Sequence, residues 1–237
     1  MERRHGSEVE DMDDLGSCFT FRQHTHFLTA RHCIPDDESL GRLIMPGAPD
    51  PIPFASVEHH PNADLSLITI DADALGYKAY WEPFWDFVSN WQVGEEFMAY
   101  GYPIDTIWAD DNPRLTPRLF RGSYQRFWHH RTAGGRFNYL AGEMSIPAPT
   151  GLSGGPLFRP RALPMLTGMV VETIDSTTYT DEVVERTKDG KTERTTLKRL
   201  VSYGVAVMLS DLASWLNDRV PTHQTQRPEP PAFAPSP

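Results

Sequence analysis

Short apolar runs, broken every few residues by glycine, proline, asparagine or aspartate, constrain this chain most. Leu65–Ile70, Glu96–Tyr100 and Leu166–Val171 each have the length of a strand, and turn-forming residues separate them. That pattern predicts an all-β fold. At 237 residues the chain can bury a sizeable core, and β-barrels of this size commonly form one domain. One segment reads as helix: Asp211–Arg219, with Ser210 as N-cap and Leu212, Trp215 and Leu216 along one side. There is no internal repeat, and no apolar stretch approaches the ~18 residues a bilayer-spanning helix needs.

Within this background stands Gly151-Leu152-Ser153-Gly154-Gly155-Pro156. A serine flanked by glycines sits on a tight turn where two backbone N–H groups can point at one spot. An oxyanion would form at that spot if the hydroxyl attacked a carbonyl. Glycine runs also suit plain turns and phosphate loops, so upstream segments have to decide.

Two such segments exist. Leu28-Thr29-Ala30-Arg31-His32-Cys33 places a histidine after an apolar stretch, and His60-Pro61-Asn62-Ala63-Asp64-Leu65-Ser66-Leu67-Ile68 places an aspartate at the head of a strand-like run. A serine hydroxyl is a poor nucleophile at neutral pH without a base, and the base needs a carboxylate to fix its tautomer. Taken singly, His32 and Asp64 also suit a packed strand end and a strand cap. Together with Ser153 they supply all three roles, in the order His, Asp, Ser.

Here the chain resembles the trypsin-like (chymotrypsin-fold) serine peptidases, especially their short bacterial members. The resemblance rests on Thr-Ala-x-His-Cys, Asp-Leu-x-Leu-Ile and Gly-x-Ser-Gly-Gly-Pro, and extends more weakly over about residues 15–219. It implies His32 as general base, Asp64 as orienting carboxylate and Ser153 as nucleophile, with the N–H groups of Gly151 and Ser153 as oxyanion hole. It also implies two antiparallel six-stranded β-barrels and a C-terminal helix. Barrel 1 would span about 15–103, closed by the strand and turn of Gly94–Pro103; barrel 2 would span about 118–209, and the helix 210–219. A histidine base implies a rate that rises through one ionisation near neutral pH.

The resemblance further assigns the primary specificity pocket to Ser145–Thr150, Val170–Thr173 and Tyr203–Val205. Its candidate contacts are Pro147, Ala148, Thr150, Val171, Glu172, Thr173 and Gly204. Pro147 occupies the position where enzymes cleaving after Arg or Lys hold an aspartate. With Ala148 and Gly204 leaving the pocket open, an uncharged apolar side chain is expected there. Glu172, with Asp175 close behind, is the residue able to reverse that preference.

Three departures from the family pattern carry information. Leu152 replaces the aspartate that pairs with a newly freed N-terminus in zymogen-type relatives, so activation of that kind is not expected. Val171 stands near the position of a serine that supports the catalytic carboxylate elsewhere, so Asp64 needs another donor. Cys18 and Cys33 lie 15 positions apart. Animal relatives carry a disulfide in this region, whereas two reduced thiols fit a chain whose Met1–Asp11 has no apolar export segment.

A cytoplasmic location follows as the expectation. The formal net charge of −10 disfavours nucleic acid as partner, and no membrane association is expected. Residues 1–14 read as a flexible acidic N-terminus, and 221–237, with six prolines, as a disordered tail. Glu172–Ser202 is an insertion whose Asp189-Gly190 turn predicts a hairpin, either a plain solvated one or a lid or exosite beside the cleft. His24 with His26, His59 with His60 and His129 with His130 complete no ligand set at recognisable spacing, so no metal and no cofactor is expected. Tyr80–Trp91 reads as an apolar segment capping a barrel.

The predicted activity is a serine endopeptidase acting on protein or peptide substrates through an acyl-enzyme, with a regulatory protein partner as one way to restrain it. Two alternatives stand beside it. One is a catalytically silent peptide-binding protein of the same fold; the other is an esterase-type hydrolase using the same triad.

Overall fold

The computed structural model describes residues 16–45, 50–73, 84, 86–104, 116–132, 135–160, 165–186 and 192–221. The expected N-terminal extension, nearly all of the proline-rich tail and the Asp189-Gly190 turn lie outside them. Side chains between 178 and 199 are likewise not described.

In chain order the strands are β1 (Cys18–Phe21), β2 (Gln23–Thr29), β3 (Arg42–Leu43), β4 (Ile52–Pro53), β5 (Ser56–His59) and β6 (Ser66–Thr69) in the first half. The second half holds β7 (Glu96–Gly101), β8 (Arg118–Arg131), β9 (Asn138–Met144), β10 (Pro156–Phe158), β11 (Leu166–Arg186) and β12 (Thr192–Met208), followed by α1 (Ala213–Arg219). The protein is mostly β, with one short α-helix among the described residues.

All strand pairings between these elements are antiparallel. β7 to β12 close into a six-stranded barrel in the order β10-β11-β12-β9-β8-β7. The first half forms a four-stranded sheet, β1-β2-β6-β5, with β3 and β4 paired separately. Gly94–Pro103 therefore does not close the first barrel. β7 pairs with β8 through Phe97↔Gly122 and Ala99↔Phe120, and with β10 through Ala99↔Leu157. The reason is packing: Phe97 and Ala99 are fully buried with Tyr124, Leu157 and Met208 inside the closed barrel.

Three apolar clusters explain why several strands read as continuous apolar runs rather than alternating ones. Successive strand residues point to opposite faces, and here both faces are covered. On β6, Leu67 joins the cluster between the two halves while Ile68 joins that of the first half, with Phe27, Leu43 and Ile52. On β11, Met169 and Val171 face the inter-half cluster and Val170 faces the barrel interior. Leu152 is fully buried in that interior, where an ion-pairing aspartate would have no place.

The C-terminal helix differs from expectation in its start. A 3-10 turn, Leu209–Leu212, precedes α1, and Leu212 rather than Ser210 takes the cap position. The Ser210 hydroxyl accepts from Trp91 Nε1 at 3.2 Å instead, so tertiary contact outweighs the local capping preference. Of the Tyr80–Trp91 segment, Phe84 packs edge-on against Phe19 and Phe87 stacks on Phe21. The long β11–β12 hairpin forms as expected, in register from Gly168↔Met208 to Arg186↔Thr192 with two bulges.

Trp215 on α1 ties the helix to the loop before β6: its ring lies 5.3 Å from that of His60, and Arg219 stacks over it at 4.4 Å. We expect Trp215→Ala to cost about 3–5 kcal/mol, read as a lowered midpoint in urea unfolding. An unchanged midpoint would show that the Trp215 ring adds nothing to the inter-half core.

Candidate active site

His32 lies in a one-turn 3-10 helix, Arg31–Cys33, directly after β2. Asp64 precedes β6, and because β2 and β6 are paired (Thr29↔Ser66) their ends bring the two side chains together. Both carboxylate oxygens of Asp64 serve His32. The ring Nδ1 lies 2.6 Å from Oδ2, and the His32 backbone N–H donates to Oδ1 at 3.1 Å. That backbone amide is the donor the departure at Val171 left open, and it carries no side-chain signal in the sequence.

The electrostatics follow from this pairing. Asp64 is only 11% exposed at its side chain, whereas His32 is 48% exposed. Burial of the ring opposes protonation, but the Asp64 hydrogen bond and the neighbouring Cys33 outweigh it. The imidazole is pushed up to about 10. The expectation of an ionisation near neutral pH shifts upward accordingly.

The loop carrying Asp64 is braced from both sides. The Asn62 N–H donates to His60 Nδ1 at 3.1 Å, and Asn138 N–H donates to the Asn62 carbonyl at 2.8 Å, linking β9 to this loop. His59 and His60 thus face apart: His59 meets Ser66 and Glu38, and His60 meets Trp215.

Ser153 stands on a turn that only glycine can make. Gly151 has φ +88° and Gly154 φ +84°. A Cβ on Gly154 would sit on the Ser17 carbonyl, and one on Gly151 would lie 2.6 Å from the Tyr102 carbonyl. The Ser153 carbonyl accepts from Ser17 N–H at 2.7 Å and from the Cys33 thiol at 3.7 Å, which sets the serine beside the residue following His32. Its hydroxyl donates to the Val171 carbonyl at 3.1 Å.

The expected pocket walls meet one another. Thr173 Oγ1 donates to the Ala148 carbonyl at 2.8 Å and accepts from its N–H at 2.9 Å. Gly204 N–H donates to the Ile146 carbonyl at 2.7 Å, and a Cβ on Gly204 would lie 2.9 Å from that same oxygen. The missing side chain of Gly204 therefore makes room for the loop around Pro147, not for an open pocket. Thr150 bonds through its carbonyl to Ile104 N–H at 2.9 Å. Glu172 Oε1 lies 2.6 Å from His130 Nε2, and Tyr139 is raised by its burial, with the charges of Glu172 and Asp64 adding to the effect. Asp175 accepts from Ser202 Oγ at 2.7 Å.

Cys18 and Cys33 are both free and pack against different clusters, Cys18 in the first half and Cys33 between the halves. The residue opposite Cys33 is Gly16, whose Cβ position would fall 2.2 Å from its sulfur.

The family model for the trypsin-like peptidase domain matches residues 16–162, well over half of the chain. The chain belongs to the trypsin-like peptidase family. Solved structures agree on the fold of this peptidase domain. The inactive form of the Rv3671c protease aligns at TM-score 0.55 and 13% identity, covering 86% of this chain and 82% of that one. The active form, from M. tuberculosis, aligns at 0.55 and 13%, covering 85% and 71%. The HtrA-type protease AlgW with decapeptide aligns at 0.55 and 16%, covering 88% of this chain and 52% of that one. No curated protein sequence matches the chain.

Proposed function

We propose that this trypsin-like peptidase is a serine endopeptidase in which His32, Asp64 and Ser153 form the catalytic triad. The observation that carries the reading is the two-point grip of Asp64 on His32, beside a serine held on a turn with φ > 0 at both Gly151 and Gly154. Ser153 first rotates its hydroxyl from the Val171 carbonyl toward the second ring nitrogen of His32. Its oxygen then attacks the scissile carbonyl while His32 takes the proton, and Asp64 stabilises the imidazolium. The oxyanion is held by the N–H groups of Gly151 and Ser153. His32 passes the proton to the leaving amine, an acyl-ester remains on Ser153, and water releases it by the same steps in reverse.

The support for that oxyanion hole is selective hydrogen bonding. The N–H groups of Leu152, Gly154 and Gly155 are spent on Pro149, Val170 and Leu152 carbonyls, while those of Gly151 and Ser153 have no backbone partner among the described residues. We read the four-stranded sheet with β3 and β4 as the counterpart of a first barrel, so that the triad spans the junction of two. The acidic balance fits a peptide-cleaving protein without a nucleic-acid partner, acting in the cytoplasm on protein substrates, with a regulatory partner to restrain it.

Uncharged apolar side chains are the expected occupants before the scissile bond, since Pro147 and Ala148 carry no charge and Glu172 is engaged with His130. Digestion of a diverse peptide library, with Ser153→Ala protein as control, tests both parts. Cleavage after apolar residues that the control lacks is expected, and Glu172→Gln should leave the profile unchanged. Dominant cleavage after Arg or Lys would overturn the pocket assignment, and equal cleavage by the control would overturn the activity.

A further inference from the structure

We infer that Ser17 is a positioning residue that aims the oxyanion-binding amides, acting together with the backbone N–H of Ile104. The inference rests on the triad reading above and adds to it a device outside the triad.

The geometry concerns two successive peptide units. In a planar trans peptide the C=O and the following N–H point in opposite directions. The Thr150 carbonyl accepts from Ile104 N–H at 2.9 Å. The N–H of Gly151, on the other side of that peptide plane, is thereby directed away from residues 102–104. The next carbonyl, that of Gly151, accepts from Ser17 Oγ at 2.7 Å. Ser17 Oγ in turn accepts from Tyr102 N–H at 2.9 Å, which fixes the direction of its own proton toward Gly151.

Ser17 also donates its backbone N–H to the Ser153 carbonyl at 2.7 Å. Ser17 thus holds the Gly151–Leu152 and Ser153–Gly154 peptides, which flank the peptide carrying the Ser153 N–H, and with Ile104 it leaves neither Gly151 peptide free to turn over. The constraint matters at this position. Gly151 has φ +88° and no side chain to resist rotation, so without external bonds its peptides are the softest part of the loop. Ser17 is 2% exposed and closely packed, since a Cβ on Gly101 would lie 2.5 Å from its hydroxyl. Water has little room to replace that hydroxyl.

A hole of this kind acts on charge that develops only during reaction, so its disorder should slow chemistry and leave binding alone. The test measures covalent labelling by an alkyl fluorophosphonate, in which Ser153 Oγ bonds to phosphorus, fluoride leaves and the proton goes to His32. Labelling rates at several probe concentrations separate the maximal rate from the half-saturating concentration. Ser17→Ala should lower the maximal rate on the order of tenfold to a hundredfold, with half-saturation within about twofold. Ile104→Pro, which removes the donated N–H together with the isoleucine side chain, should do the same. The double variant should lose less than the product of the two, since both act on Gly151.

Wild-type maximal rates in either folded variant, or a change confined to half-saturation, would overturn the inference. So would failure of both variants to fold, which would make the contacts structural. A wild-type protein that takes no label would instead remove the triad reading, an outcome distinct from normal labelling in the two variants.

Discussion

Replacing Ser153 by alanine is expected to lower peptide-bond turnover by on the order of 10⁶ while leaving the fold intact. The size follows from non-additivity: without the nucleophile, His32 and Asp64 have no proton to move, and only the oxyanion hole and binding remain. The fold should survive because, among the described residues, Ser153 Oγ hydrogen-bonds only the Val171 carbonyl, on a turn held by Ser17, Val170 and Leu152 through backbone bonds. Initial rates on a fluorogenic peptide drawn from the library profile, together with thermal unfolding, measure both parts. Proteolysis persisting in purified Ser153→Ala protein would remove the serine from the mechanism.

Asp64→Asn should slow turnover on the order of 10⁴, because an amide holds the imidazole in the wrong tautomer. Its pH behaviour is the sharper readout. Asp64 and the neighbouring Cys33 hold the His32 proton above the ordinary 6.5, up to about 10, so the neutral base grows in as pH rises through that range. The wild-type rate should therefore still climb with pH well above 6.5. In Asp64→Asn the raising hydrogen bond is lost while burial still opposes protonation, so the midpoint should fall.

Stability follows the opposite sign. The folded protein binds this proton more tightly than the unfolded chain, so His32 stabilises fully below pH 6.5 and loses that contribution as pH rises toward about 10. Unfolding midpoints across that window should decline in the wild type and decline less in Asp64→Asn. A rate profile already level at pH 6.5 would show that Asp64 does not hold the proton in solution.

Much of the site was legible because its parts are local. The glycines around Ser153 are demanded by positive φ and by the carbonyls pressed against them, constraints that act within a few residues and leave a mark at fixed spacing. The strands announced themselves as apolar runs, although the same runs concealed their faces, since β6 and β11 are covered on both. Leu152, the apolar residue before the serine, is buried inside the barrel.

What the residues alone determined is chemical: an all-β chain bearing a histidine, an aspartate and a glycine-bound serine in the order of a known family. Tertiary structure decided which groups meet. It gave β7 to the closed barrel, filled the space beside Gly204 with the Ile146 carbonyl, turned Glu172 to His130, and supplied Asp64 with a backbone donor from His32. It also placed Ser17 against a loop 134 positions away. The physical reason is common to all but one of these. Apart from the Glu172–His130 pair, each of these contacts uses a backbone N–H or C=O, which carries no mark of residue type, so its partner is set by how the strands and loops pack.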